Sequence, residues 1–172
     1  ALMKWVERTP IMGSYLGDEG DQNSVEQFIR SHLEAYKKMN YDSMKLLENT
    51  TSSEKIANRF LDAEKSAEIF LLPHGKINRA RAGLLFIESY RELPLLTWPR
   101  KLIDAFVELE ESMAKWRHDH ARMVERIIGK RTGTGGTSGV DYLDSTSKYR
   151  IFRDLWEVRT ILVKPELRPE LK

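Results

Sequence analysis

Residues 102–129 read LIDAFVELEESMAKWRHDHARMVERIIG. Leu102, Phe106, Leu109, Met113, Trp116, His120, Met123 with Val124, and Ile127 recur at nearly alternating steps of four and three. That repeat is one face of an α-helix, and it predicts a single long helix over 98–129 with this stripe as a buried seam. Pro99 suits the first turn, where its missing N–H costs nothing. Gly129 suits the stop, since it tolerates the left-handed backbone that closes a helix.

The same period runs through the rest of the chain. Ser24-Val-Glu-Gln27 reads as a capping box that starts a helix. Val25, Phe28, Ile29, His32, Tyr36 and Met39 follow on one face, which makes His32 a core or boundary histidine. Residues 41–49 suit a short helix. Ile56, Phe60, Ala63, Ala67, Phe70 and Leu71 carry another stripe up to Pro73-His-Gly75, which breaks it and leaves His74 in an exposed turn. Residues 79–92 and 149–163 predict two more helices. No period-two strand and no internal repeat is visible. The fold class is all-α, a helical bundle over a single region, 1–172.

The bulk numbers agree with one globular body. The 172 residues are 41% hydrophobic and 31% charged, with 28 basic and 26 acidic side chains and a formal charge of +2. Such a length can bury a core, and such a balance supplies no concentrated basic face for nucleic acid. The chain has no cysteine, so disulfides, thiolate metal sites and cysteine nucleophiles are excluded. Its apolar runs are too short to span a bilayer and no secretory leader is seen, so a cytoplasmic protein is expected, with no membrane partner. The first residues, ALMKWV, already stand at helical spacing with no cap before them. Either a longer protein precedes them or a short helix has lost its start.

Two features could carry chemistry. In the seam, His120 is the one polar member. His118, two residues earlier, points about 200° away, so the pair cannot share a metal. An imidazole buried there needs its nitrogens satisfied, either by a backbone or carboxylate acceptor or by a metal on one of them. A lone histidine in an apolar seam is also all that an axial haem position asks of a protein. The second feature is Gly129-Lys-Arg-Thr-Gly-Thr-Gly-Gly-Thr-Ser-Gly139. It lacks the Gly-Lys-Ser/Thr ending of a phosphate loop, and Ser138 stands where a dinucleotide fingerprint needs glycine. A helix, not a strand, precedes it. Its backbone N–H groups and hydroxyls could receive a carboxylate, or it could be a plain surface loop.

These residues together resemble a known family. KWRHDHARMVERIIGKRTGTGGTSGVDYL, 115–143, is similar to the run that marks the tryptophan 2,3-dioxygenase family. Trp116-Arg117-x-x-His120, Met123-Val124-x-Arg126 and Gly133 to Gly139 match it in order and spacing, with Thr137 where serine is commoner. Residues 148–163 look like the family's C-terminal helix, and WVERTP at 5–10 resembles the segment before its variable insert, here 18–55.

The resemblance implies a haem-binding helical protein, usually a homotetramer, with one haem b per active site. It implies that both atoms of O₂ enter L-tryptophan across the indole C2–C3 bond to give N-formylkynurenine, the first step of tryptophan catabolism by the kynurenine pathway. His120 takes the position of the axial iron ligand, with Trp116 and Val124 in the proximal haem environment. Thr134 matches the threonine that meets the substrate's amino and carboxylate groups. Gly133, Gly135 and Gly136 line the pocket within a substrate loop at 130–147.

The chain departs from the family in length. Nothing here is similar to the Gly-Phe-Arg…Ser-Gly-Phe-Gln segment that carries the carboxylate-binding arginine, and the distal-side histidine is missing as well. The expectation is therefore a C-terminal part of a larger helical protein. The N-terminal half would come from a separate chain or segment, and with it the distal catalytic residues. Two alternatives stand beside this reading. One is a related haem oxygenase for another indole or aromatic. The other is a helical interaction module without catalysis.

Overall fold

The computed structural model describes residues 2–11, 19–47, 53–129, 131, 139–147 and 149–171. Among them every regular element is helical. The seven α-helices are α1 Leu2–Val6, α2 Glu19–Leu47, α3 Ser53–Leu71, α4 Arg79–Ser89, α5 Thr97–Ile128, α6 Gly139–Ser147 and α7 Arg153–Thr160. Short 3₁₀ turns sit at Pro73–Gly75, Pro94–Leu96 and Pro165–Leu167, each with proline at its start. The all-α class read from the sequence is the class observed. None of the described helices is long and apolar enough to cross a membrane.

The chain divides into two compact units, residues 1–100 with 156–172, and residues 101–155. In the first, α2 lies against α3 and α4, α3 against α4, and α1 against α4. The stripe on α2 does what its spacing requires: Val25, Phe28, Ile29, His32 and Tyr36 are buried. Phe28 meets Phe86 edge-on at 5.5 Å, and Phe86 meets Tyr90 at 4.9 Å. Aromatic pairs of this kind add about 0.5–1.5 kcal/mol each beyond burial. His32 is a core residue, fully buried, and its Nε2–H donates to the carbonyl of Ile161 at 2.8 Å. Burial pushes its pKa down, more than the bond to Ile161 raises it. The Tyr36 hydroxyl donates to Thr160 O at 3.3 Å, so two rungs hold the end of α7 on α2.

Several local expectations need correcting. Ser24 does not open α2, because the helix begins at Glu19 and passes through Ser24 without a break to Leu47. The cause is a tertiary bond. Asp21, in the first turn, takes both arms of the Arg79 guanidinium at 3.1 and 2.9 Å, and the same guanidinium donates to Thr9 O at 2.5 Å. An acid in that first turn also suits the positive end of the helix. The segment 41–49 is accordingly no separate helix as far as Leu47, and 48–49 lie outside the described residues. The second correction is α4, which stops at Ser89, not 92: Tyr90 leaves helical geometry, and its hydroxyl donates to Pro169 O.

The break at 73–75 is as read. His74 is exposed with φ 53°, and Gly75 follows with φ 73°. Asn78 then caps α4, its Oδ1 accepting from Arg81 N at 3.1 Å. Gly83 is needed where α1 crosses α4, because a Cβ there would stand 2.6 Å from the carbonyl oxygen of Val6.

In the second unit, α5 beyond Arg100 is joined by α6 and by residues 149–155. Gly129 closes α5 with φ 62° while its N–H donates to Glu125 O at 2.9 Å. Residues 139–147, read from the sequence as part of a loop, form α6. The final helix, expected from 149, starts at Arg153.

Candidate functional site on the long helix

The faces of α5 are set differently from the expected seam. The buried positions are Ile103, Val107, Glu110 and Ala121. They lie one residue along from Leu102, Phe106, Leu109 and His120, which turns the buried stripe by about 100°. The apolar stripe is covered at its start, where Phe106 meets Phe152 edge-on at 5.0 Å. From Leu109 onward it opens: Trp116 is 63% exposed, Met123 50% and Ile127 73%.

Polar residues hold this setting. Glu110, 2% exposed, accepts through Oε1 from the N–H of Ile151 and, at 3.1 Å, from that of Phe152. Arg117 donates to the carbonyls of Thr146 and Tyr149, both at 3.3 Å. Arg122 pairs with Asp144 and, at 2.6 Å, with Glu125. Hydrogen bonding to Asp144 is the first cause that holds the Arg122 pKa up. Sequence reading missed Glu110. The available signal was a charged residue in register with Ile103 and Val107.

His120 is half-buried on the open stripe, and its ring stacks on that of Trp116 with centroids 5.3 Å apart and planes 6° from parallel. Val124, one turn on, is half-buried too. His118, about 200° round the helix from His120, is exposed. The expected buried imidazole is thus corrected to one on an apolar face that the described chain leaves partly open.

The donor chemistry of this face suits a haem. A porphyrin supplies four nitrogens and needs one protein nitrogen on an apolar wall. Here one imidazole stands among Leu109, Met113, Trp116, Met123 and Ile127. Among the described residues no group of three or more His, Cys, Asp or Glu side chains gathers as a metal site.

Thr134, Gly133, Gly135 and Gly136 lie outside the described residues. The two elements that bracket them are described: α5 ends at Ile128 and α6 begins at Gly139. A groove of about 860 Å³ lies elsewhere, in the first unit, lined by Val25, Ile29, Leu33 and Ile77 with acidic and basic neighbours. Its mixed charges select no ligand chemistry, and it holds no histidine. The candidate site is therefore the α5 face.

The family model described as tryptophan 2,3-dioxygenase matches residues 1–162. The chain is 40% identical, over 99% of its length, to the tryptophan 2,3-dioxygenase of Sorangium cellulosum (strain So ce56), of which it covers 44%. It is likewise 40% identical to a tryptophan 2,3-dioxygenase-like protein of Xanthomonas campestris pv. campestris (strain 8004), of which it covers 66%. To tryptophan 2,3-dioxygenase B of Danio rerio it is 32% identical, covering 98% of this chain and 44% of the relative. The chain thus spans roughly half to two thirds of the length of these relatives. With a match that runs from the first residue to Leu162 and includes the whole of α5, the chain belongs to the tryptophan 2,3-dioxygenase family.

Proposed function

We propose that this chain is the haem-ligand-bearing part of an enzyme that cleaves the indole C2–C3 bond of L-tryptophan with O₂, giving N-formylkynurenine. One observation carries the reading: His120 lies stacked on Trp116 in the middle of an apolar, partly open face of α5. His120 would hold the iron of one haem b, whose redox centre supplies the oxygen chemistry. Both oxygen atoms end in the product, so the balance needs no external reductant.

The chain's own residues orient and exclude. Stacking on Trp116 restricts the rotation of the imidazole about its side-chain bonds. Leu109, Met113, Met123 and Val124 offer apolar contact to a flat macrocycle and keep water from that side. Thr134 would meet the amino and carboxylate groups of tryptophan, with Gly133, Gly135 and Gly136 letting the backbone approach. The residues that face the substrate from the distal side would come from an N-terminal half, as a separate chain or segment. The assembly would be a cytoplasmic homotetramer.

The test is turnover. The haem-loaded assembly supplied with L-tryptophan and O₂ should form N-formylkynurenine, and Thr134→Ala should raise KM for tryptophan while haem loading persists. An unaltered KM counts against Thr134. Failure to consume tryptophan while another indole is oxygenated moves the reading to a different substrate.

A further inference from the structure

Glu110, Arg117 and Arg122 form an antiparallel ladder along α5. As the α5 number rises through 110, 117 and 122, the partner number falls through 151–152, 149–146 and 144. Every rung fastens α5 to the chain that follows it. Apolar residues alone would not choose this setting. Beyond Val107 the stripe that starts buried offers Glu110, Ala114, Arg117, Ala121, Val124 and Ile128, whereas the adjacent stripe offers the larger Leu109, Met113, Trp116, His120, Met123 and Ile127. Burial of apolar area favours turning α5 by about 100° to put the second stripe inside. The polar rungs oppose that turn. The N–H groups of Ile151 and Phe152 precede α7, where backbone donors lack helical partners, and one carboxylate oxygen satisfies both.

We propose that Glu110 and Arg117 are positioning residues: they fix the rotation of α5 about its own axis and so keep His120 on the open face. The consequence for haem rests on the reading of His120 as the iron ligand, while the rotation itself is measurable without haem. Glu110→Ala removes the acceptor and strands two N–H groups. The helix then turns its richer apolar stripe inward, and His120 goes with it. Glu110→Gln retains an oxygen that accepts from both N–H groups and keeps the native setting.

The chain has no cysteine of its own, so single cysteines report each stripe by their rate of reaction with a thiol reagent. Met123→Cys marks the open stripe and Val107→Cys the buried one, each placed in the full chain. In the Glu110→Ala background the Met123→Cys rate should fall several-fold and the Val107→Cys rate should rise several-fold. In the Glu110→Gln background both should stay at the parent rates. If both rates rise together, Glu110 only stabilises the fold, and the proposal is overturned; unchanged rates overturn it too. Arg117→Ala provides the same reciprocal test should Glu110→Ala fail to fold. Haem titration of the same proteins separates the two readings. A parent that binds no haem but shows reciprocal rates defeats the His120 assignment and leaves the ladder standing. A parent that binds haem without reciprocal rates does the reverse.

Discussion

The imidazole of His120 stacks on the indole of Trp116, its plane 6° from parallel at a centroid distance of 5.3 Å. The two are one helical turn apart, on a stripe where Trp116 is largely open to solvent. The indole thus guides the ring without enclosing it. In Trp116→Ala the imidazole gains freedom that haem binding must then remove. The expected result is haem affinity weakened about 2- to 12-fold, which corresponds to the ~0.5–1.5 kcal/mol of an aromatic pair. The ferrous CO spectrum should remain that of a histidine-ligated haem. Equal affinity in the variant, measured by haem titration, would show that the stack has no part in presenting the ring.

Gly83 tests the crossing of α1 and α4. Helix propensity alone makes alanine the better residue there by about 1 kcal/mol. The Val6 carbonyl 2.6 Å from the added Cβ reverses the sign, since a backbone atom tied by Thr9 N cannot step aside as a side chain would. Overpacking of this kind costs ~1–3 kcal/mol; less the propensity gain of ~1 kcal/mol, Gly83→Ala should lower Tm by up to roughly 8 °C in calorimetry. A rise in Tm would mean that α1 does not sit on α4 in solution.

His32 should make stability depend on pH. Burial holds its folded pKa below the ordinary value of 6.5, so the unfolded chain takes up a proton that the folded chain refuses. Stability is fully present above 6.5 and is lost as pH falls from there toward the lowered folded value. The loss is about 1.4 kcal/mol per pH unit within that window. His32→Gln, which can still donate to Ile161 O, should flatten this part of the profile. Tm measured for both proteins from about pH 7.5 to 5.5 checks it. Parallel profiles would assign the dependence to other groups.

The sequence made some of these features readable and hid others for a physical reason. Period located α3 and α5 and placed His32 in the core or at its boundary, and Gly129 marked the stop of α5, because each depends on neighbours within a turn or two. The start of α2 was hidden because Asp21 answers to Arg79, 58 positions away. The late start of α7 was hidden because Glu110 takes the N–H groups of Ile151 and Phe152 from 41 and 42 positions away. The same bond explains the wrong face on α5. Two stripes with near-identical period compete there, and polar bonds to distant backbone decide between them. For the site, His120 and Trp116 were legible as neighbours on one face, but their openness was not, since exposure depends on what the rest of the chain covers. The roles of Thr134 and its glycines rest on resemblance alone, and these residues lie outside the described ones.

Haem binding through His120 is read most directly from the absorption spectrum of the haem-reconstituted protein, ferrous and CO-bound, beside that of His120→Ala. A histidine-type Soret band is expected in the parent, with its loss and a marked fall in haem affinity in the variant. A spectrum and an affinity unchanged by His120→Ala would contradict binding through His120.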